Sequence, residues 1–176
     1  MQTIIAISGS LRSASVNTTL LNIVATRLPS GIEYSIFEGI ADLPHFNPDI
    51  DKGEPLPAVQ RLRDRIREAA AVVICTPEYA FGVPGVLKNA LDWLVSSGEL
   101  NEKPVASISA SPLYRGGDRA HASLSLTLEA LGTKQVARVT IPAITTKLNG
   151  EGQLTHPETL QELDQLAQAL VATIQP

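Results

Sequence analysis

The chain has 176 residues, 44% of them apolar and 18% charged, with a formal net charge of −4. That length fits a single domain over residues 1–176 that buries about two thirds of its unfolded surface without disulfides or a structural metal. The composition excludes a disordered chain, the acidic balance argues against nucleic-acid or anionic-lipid partners, and no apolar run nears the ~20 residues of a membrane helix.

In chain order, residues 3–8 are apolar almost throughout, as in a strand covered on both faces by helices. Leu20, Leu21, Val24 and Leu28 recur at helical spacing and predict a helix over residues 18–28, ended by Pro29-Ser30-Gly31. Ile32, Tyr34 and Ile36 alternate with polar residues, the mark of a half-exposed edge strand. Residues 39–57 carry Pro44, Pro48, Pro55 and Pro57, which forbid a regular element; the stretch is either a functional or partner-contacting excursion or plain solvent-exposed chain. Val59, Leu62, Ile66 and Ala69 mark one face of a helix whose other side is charged.

Val72-Val73-Ile74-Cys75 is a second fully apolar strand. A stiff loop from Pro77 to Gly85 leads into a helix with Leu87, Ala90, Leu91, Leu94 and Val95 on one face. Val105, Ala106 and Ile108 form a strand that runs into a loop ending in Gly116-Gly117, and the next helix turns Ala122, Leu126 and Leu131 inward. Residues 135–141 are a last strand, and residues 157–174 a closing helix.

Five strands alternate with five helices, and the crossovers are long enough for parallel pairing. This predicts an α/β flavodoxin-like, doubly wound five-stranded parallel sheet of order 2-1-3-4-5, with helices on both faces. In that order the switch point lies between the first and third strands, where ligands sit at the carboxyl ends. Residues 9–17, 77–84 and 111–117 then converge on one crevice.

The first of these loops reads as an anion cradle. A strand ending in Gly-Ser that feeds a helix leaves unpaired N–H groups, and the helix dipole there favours negative charge. Ser10, Ser15, Asn17 and Thr18 add donors, and Arg12 adds a planar guanidinium suited to two phosphate oxygens. The same Ser, Asn and Thr residues are also ordinary helix caps. Only Gly9 is present where a dinucleotide pyrophosphate asks for G-x-G-x-x-G, so a compact phosphate monoester fits better. A planar aromatic ligand with a phosphate tail, such as FMN, would place its ring between the second and third loops.

The motifs Gly9-Ser10-Leu11-Arg12-x-x-Ser15-x-Asn17, Thr76-Pro77-Glu78-Tyr79 and Pro84-Gly85-x-Leu87-Lys88-Asn89-Ala90-Leu91-Asp92-Trp93, followed by Gly116-Gly117, resemble the NADPH-dependent FMN reductase family. The resemblance spans nearly the whole chain. It implies an FMN-dependent NAD(P)H oxidoreductase that passes electrons from NADPH or NADH to a small acceptor such as a quinone, chromate, an azo compound or free flavin. It also implies cofactor binding at Ser10, Arg12, Ser15, Asn17, Thr18, Pro77, Glu78, Tyr79, Ala80, Phe81, Ser111, Gly116 and Gly117, with Ala80 where many members have Asn. A homodimer or homotetramer is implied, and Lys88, Asn89, Asp92 and Trp93 become loop-anchoring and partner-facing residues.

A bound flavin carries the redox chemistry itself, so no side chain is nominated as catalytic. Cys75 reads as a small buried hydrophobe. His45, His121 and His156 have no partners at metal-ligand spacing, so no metal site is expected. The opening residues lack the basic and small-residue signals of a secretory peptide, and a cytoplasmic address is the expectation. The rival reading is a non-enzymatic flavodoxin-like electron carrier. Arg12, Arg115 and Arg119 near the site loops suit an anionic NADPH and favour the enzyme.

Overall fold

The computed structural model describes residues 2–54, 56–114 and 116–174, so Pro55 and Arg115 lie outside the described residues. Five strands, β1 (Gln2–Ser8), β2 (Ile32–Ile36), β3 (Ala71–Thr76), β4 (Pro104–Ala110) and β5 (Lys134–Ile141), form one sheet of order β2-β1-β3-β4-β5. Every neighbouring pair is parallel. Helices α1 (Val16–Ala25), α2 (Pro57–Glu68), α3 (Gly85–Asp92), α4 (Asp118–Ala130) and α5 (Pro157–Ile174) make the crossovers and the closing element. The expected topology is therefore the observed one, with β2 at the edge.

The pleat of β1 explains the two core layers. Ile5 and Ile7 face Val72 and Ile74 and pack under α2, α3 and α4 through Leu62, Ile66, Leu87, Leu91, Leu124 and Leu128. Ile4 and Ala6 point the other way, toward Leu20, Leu21 and Val24 of α1 and Leu163, Leu166 and Leu170 of α5. Each fully buried Leu, Ile or Val stabilises the fold by roughly 1.5–3 kcal/mol relative to exposure.

Four elements differ from the expectation. α1 begins at Val16 because Ser15 is its N-cap, the hydroxyl accepting from Asn17 N at 3.2 Å. α3 ends at Asp92, which leaves Leu94 buried but turns Val95 out, 62% exposed.

In α4 the inward face is Ala120, His121, Leu124 and Leu128, with Leu131 buried just beyond; Ala122 and Leu126 are exposed. A histidine takes an interior position there, so a search for apolar spacing finds the wrong phase. His121 lies between two hydroxyls, with Nε2 2.8 Å from Ser107 Oγ of β4 and Nδ1 2.8 Å from Thr140 Oγ1 of β5.

Most described residues of the stretch after β2 are exposed, but the stretch is tied down rather than loose. It forms a short 3-10 turn at Ile40–Asp42 and folds onto α3. Ile40 and Leu43 are buried, and the Phe46 ring meets Trp93 edge-on with centroids 5.1 Å apart. Asn89 accepts from Phe46 N, while Asn89 Nδ2 and Trp93 Nε1 both donate to the Pro44 carbonyl, at 2.9 and 2.8 Å. Asn89 and Trp93 thus anchor a loop, the belt after β2. Trp93 is fully buried, and Lys88 pairs with Asp92 on the surface.

Candidate functional site

The chain leaves β1 on one side for β2 and returns on the other side for β3, so the carboxyl ends of β1 and β3 open a crevice. A cavity of about 220 Å³ lies there, lined by Ser10, Arg12, Ser15, Val16, Asn17, Pro77, Glu78, Tyr79, Ala110, Pro112, Ile144 and Thr145. Two larger hollows, about 490 and 530 Å³, run between β2 and α2. They are more open, and their walls mix Arg65, Glu33, Glu68 and Asp64 without a cluster of uncommitted donors.

At the β1 end the loop is held from beneath by Cys75. Gly9 N donates to the Cys75 carbonyl at 2.7 Å, and a side chain at Gly9 would press on Leu87, Cys75 and Pro77. The Cys75 thiol donates to Asn17 Oδ1 at 3.2 Å. Burial pushes this thiol's pKa up, so it remains a protonated donor. With Oδ1 engaged, the Asn17 amide turns Nδ2 toward Ser15 Oγ, 3.3 Å away.

Ser10 and Ser15 are buried, and both hydroxyl oxygens act as acceptors. Ser10 Oγ accepts from Arg12 N at 3.3 Å, and Ser15 Oγ accepts from Asn17 N and Nδ2. Among the described residues neither hydroxyl donates to a protein acceptor, so each keeps a proton for something in the cavity. α1 has no acidic residue in its first turn, and its dipole favours an anion at this point. Arg12 is exposed and makes no ion pair among the described residues.

The second loop makes a tight two-residue turn. Tyr79 N donates to Gly82 O at 3.0 Å and Gly82 N to Tyr79 O at 2.9 Å, while Ala80 and Phe81 between them have φ of 49° and 63°. Both central residues therefore sit in the left-handed region that such hairpin turns require and that suits Asn and Gly. An Asn or Gly at the position of Ala80 would fit this backbone with less strain. Ala80→Gly is expected to raise stability by about 1 kcal/mol, because a non-glycine residue there is strained. Urea unfolding reads this as a higher midpoint at an unchanged slope; a lower midpoint contradicts it.

Glu78 ties the second loop to the third. Its Oε2 accepts from Arg119 N and Ala120 N, each at 3.0 Å, and so caps α4 across about forty residues of chain. Gly116 and Gly117 permit the close turn into α4. A Cβ at Gly116 would lie 2.6 Å from Leu113 O and 2.9 Å from Pro142 Cα, and Gly117 has φ of 86° with Ser109 Oγ in the way of any side chain. Ser111 is buried and organises the turn, its Oγ accepting from Leu113 N.

Of the residues nominated from sequence, Ser10, Arg12, Ser15, Asn17, Pro77, Glu78 and Tyr79 line the main cavity. Thr18, Ala80, Ser111, Gly116 and Gly117 do not line it, and Phe81 borders a smaller cavity next door. Val16, Ala110, Pro112, Ile144 and Thr145 are walls that sequence reasoning missed. Ile144 and Thr145 come from a short 3-10 turn after β5, which carries no motif of its own.

A family model described as NADPH-dependent FMN reductase matches residues 2–146. The chain belongs to this family. It is 34% identical over 171 residues to an NAD(P)H-dependent FMN reductase of Pseudomonas aeruginosa, covering 95% of this chain and 92% of that protein. It is 39% identical over 119 residues to a quinone reductase of Escherichia coli K12, covering 66% of this chain and 63% of that one. Among solved structures, the flavoenzyme NAD(P)H:(acceptor) oxidoreductase FerB from Paracoccus denitrificans matches with a TM-score of 0.80 and 31% identity, over 99% of this chain and 97% of that one. This member's cavity thus sits where a flavodoxin-like sheet places ligands.

Proposed function

We propose that this chain is an FMN-dependent NAD(P)H oxidoreductase whose cofactor phosphate rests in the Ser10–Asn17 cradle. Family membership supports the activity class, and the two buried hydroxyls with uncommitted protons, Ser10 and Ser15, carry the placement. The donor set fits the group: two hydroxyls, an amide, a guanidinium and a helix N-terminus face the cavity, and no carboxylate stands in the first turn of α1.

The chemistry that bound FMN would supply is two-electron transfer from NAD(P)H to a small acceptor, with the balancing proton drawn from solvent. The residues of this chain bind and orient. Ser10, Arg12, Ser15 and Asn17 hold the phosphate, and Cys75 keeps the Asn17 amide turned toward it. Pro77 to Tyr79 line the cavity and offer backbone groups to the ring edge, the turn through Ala80 and Phe81 keeps them rigid, and Glu78 fixes that turn against α4. No side chain supplies acid–base catalysis. A small quinone is the acceptor class supported by the relatives' names, and a homo-oligomer remains part of the proposal.

The test is direct. Purified protein is expected to show a flavin absorption spectrum and to oxidise NADPH steadily when a quinone is added. Bound flavin without turnover would support the electron-carrier reading instead, and no bound flavin after reconstitution with FMN would overturn both.

A further inference from the structure

The main cavity has two unlike walls. Ser10, Arg12, Ser15 and Asn17, at the N-terminus of α1, bring hydroxyls, a guanidinium and an amide. Ala110, Pro112, Ile144 and Thr145 bring no charge, and the only polar side chain among them is that of Thr145. The first wall follows β1, and the second follows β4 and β5. Because β3 lies between β1 and β4 in the sheet, the two walls rise on opposite sides of it, with Pro77 to Tyr79 between them.

Thr145 is held firmly although no motif announces it. Ala143 N donates to the Leu113 carbonyl and Ile144 N to the Ser111 carbonyl, each at 3.0 Å, so the 3-10 turn Ile144–Lys147 is tied to the third loop. The Ile144 side chain is buried in the core layer shared with α1 and α5. The groups next to Thr145 are already engaged: Thr146 Oγ1 donates to the Ala143 carbonyl at 2.9 Å, and Lys147 Nζ to Thr159 Oγ1 at 3.1 Å. The Thr145 hydroxyl faces the cavity and has no protein partner among the described residues. A hydroxyl presented from a backbone already fixed loses little freedom when it meets a ligand.

We propose that Thr145 is a specificity residue for the flavin's ribityl chain: its hydroxyl hydrogen-bonds one hydroxyl of the chain, while Pro112 and Ile144 pack against the chain's C–H groups. The inference rests on the placement of the FMN phosphate in the Ser10–Asn17 cradle, and it adds the turn after β5 to the loops that hold the cofactor. A dianion is served by the cation, hydroxyls and dipole on the α1 side. The part of FMN between phosphate and ring is an uncharged polyol that alternates C–H with O–H, and an apolar wall carrying a single hydroxyl complements both. Arg12 and Thr145 thereby read different parts of one ligand, the guanidinium its charge and the hydroxyl its chain.

The test is the Kd, read from flavin fluorescence on titration with apoprotein, for FMN, riboflavin and FMN analogues that each lack one ribityl hydroxyl. Thr145→Val removes the hydroxyl at nearly constant volume and deprives no protein group of a partner. It is expected to raise the Kd for FMN and for riboflavin alike, roughly three- to tenfold, as for loss of one neutral hydrogen bond. Thr145→Ser, which keeps the hydroxyl, should stay within twofold of wild type. For one of the deoxy analogues, wild type and Thr145→Val should bind within twofold of each other, because the partner hydroxyl is already missing. No rise in Kd overturns the inference. So does a rise for FMN without one for riboflavin, which would assign Thr145 to the phosphate, and so does a rise that persists with every deoxy analogue, which would assign it to the ring. Failure of the phosphate placement reads differently: Arg12→Ala would then weaken riboflavin as much as FMN, or wild-type protein would bind no FMN.

Discussion

Arg12→Ala is expected to weaken FMN binding by about 1.5–3 kcal/mol, a roughly ten- to hundredfold rise in Kd, while riboflavin binding stays within twofold. Arg12 lines the main cavity and is engaged by no carboxylate among the described residues, so removing it leaves no orphaned partner in the free protein. Its loss should therefore be felt only by a ligand that brings an anion. The backbone N–H of Arg12 still donates to Ser10 Oγ in the variant, so the loop keeps its shape. Calorimetric titration with both ligands separates the cases. An equal loss for FMN and riboflavin would mean that Arg12 shapes the loop rather than holding phosphate.

Acidification should destabilise the protein through His121. Burial, then the nearby positive charge of Arg138, lowers its pKa from 6.5 to about 4. Its facing groups, Ser107 and Thr140, are neutral hydroxyls that cannot offset a buried imidazolium. In the unfolded chain the same ring takes up a proton near pH 6.5, so the unfolded state binds more protons between the two values. Stability is thus complete above pH 6.5 and falls as pH drops toward 4, by about 3 kcal/mol in all. Urea unfolding of wild type and His121→Asn across this range is the measurement. The wild type should lose stability with a slope of about one proton that the variant lacks, and parallel curves would remove His121 from the account.

Much of the fold was legible because local pattern and tertiary role agree. The apolar runs of β1 and β3 are buried on both faces, and the alternation of Ile32, Tyr34 and Ile36 is that of an edge strand half covered by α1 and α5. Where a polar residue takes an interior place, pattern fails: His121 holds a core position in α4 while Leu126 is exposed. The attachment of the belt after β2 was not legible because it comes from Asn89 and Trp93, about 45 residues on.

The site shows the same division. Donors clustered within eight residues, Ser10 to Asn17, announce an anion cradle by composition alone. The grip of Cys75 on Asn17 and of Glu78 on α4 joins segments 58 and about 40 residues apart, and no local signal marks either. The left-handed Ala80-Phe81 turn was hidden for another reason, since neither residue is the Asn or Gly that would advertise it.

The central claim is that the opening loop holds a flavin nucleotide by its phosphate. A crystal structure of the protein with FMN tests it most directly. The account predicts phosphate oxygens within hydrogen-bond distance of Ser10 Oγ, Ser15 Oγ, Asn17 Nδ2 and the Arg12 guanidinium, above the N-terminus of α1. A phosphate bound elsewhere, or this cavity empty at saturating FMN, would contradict it.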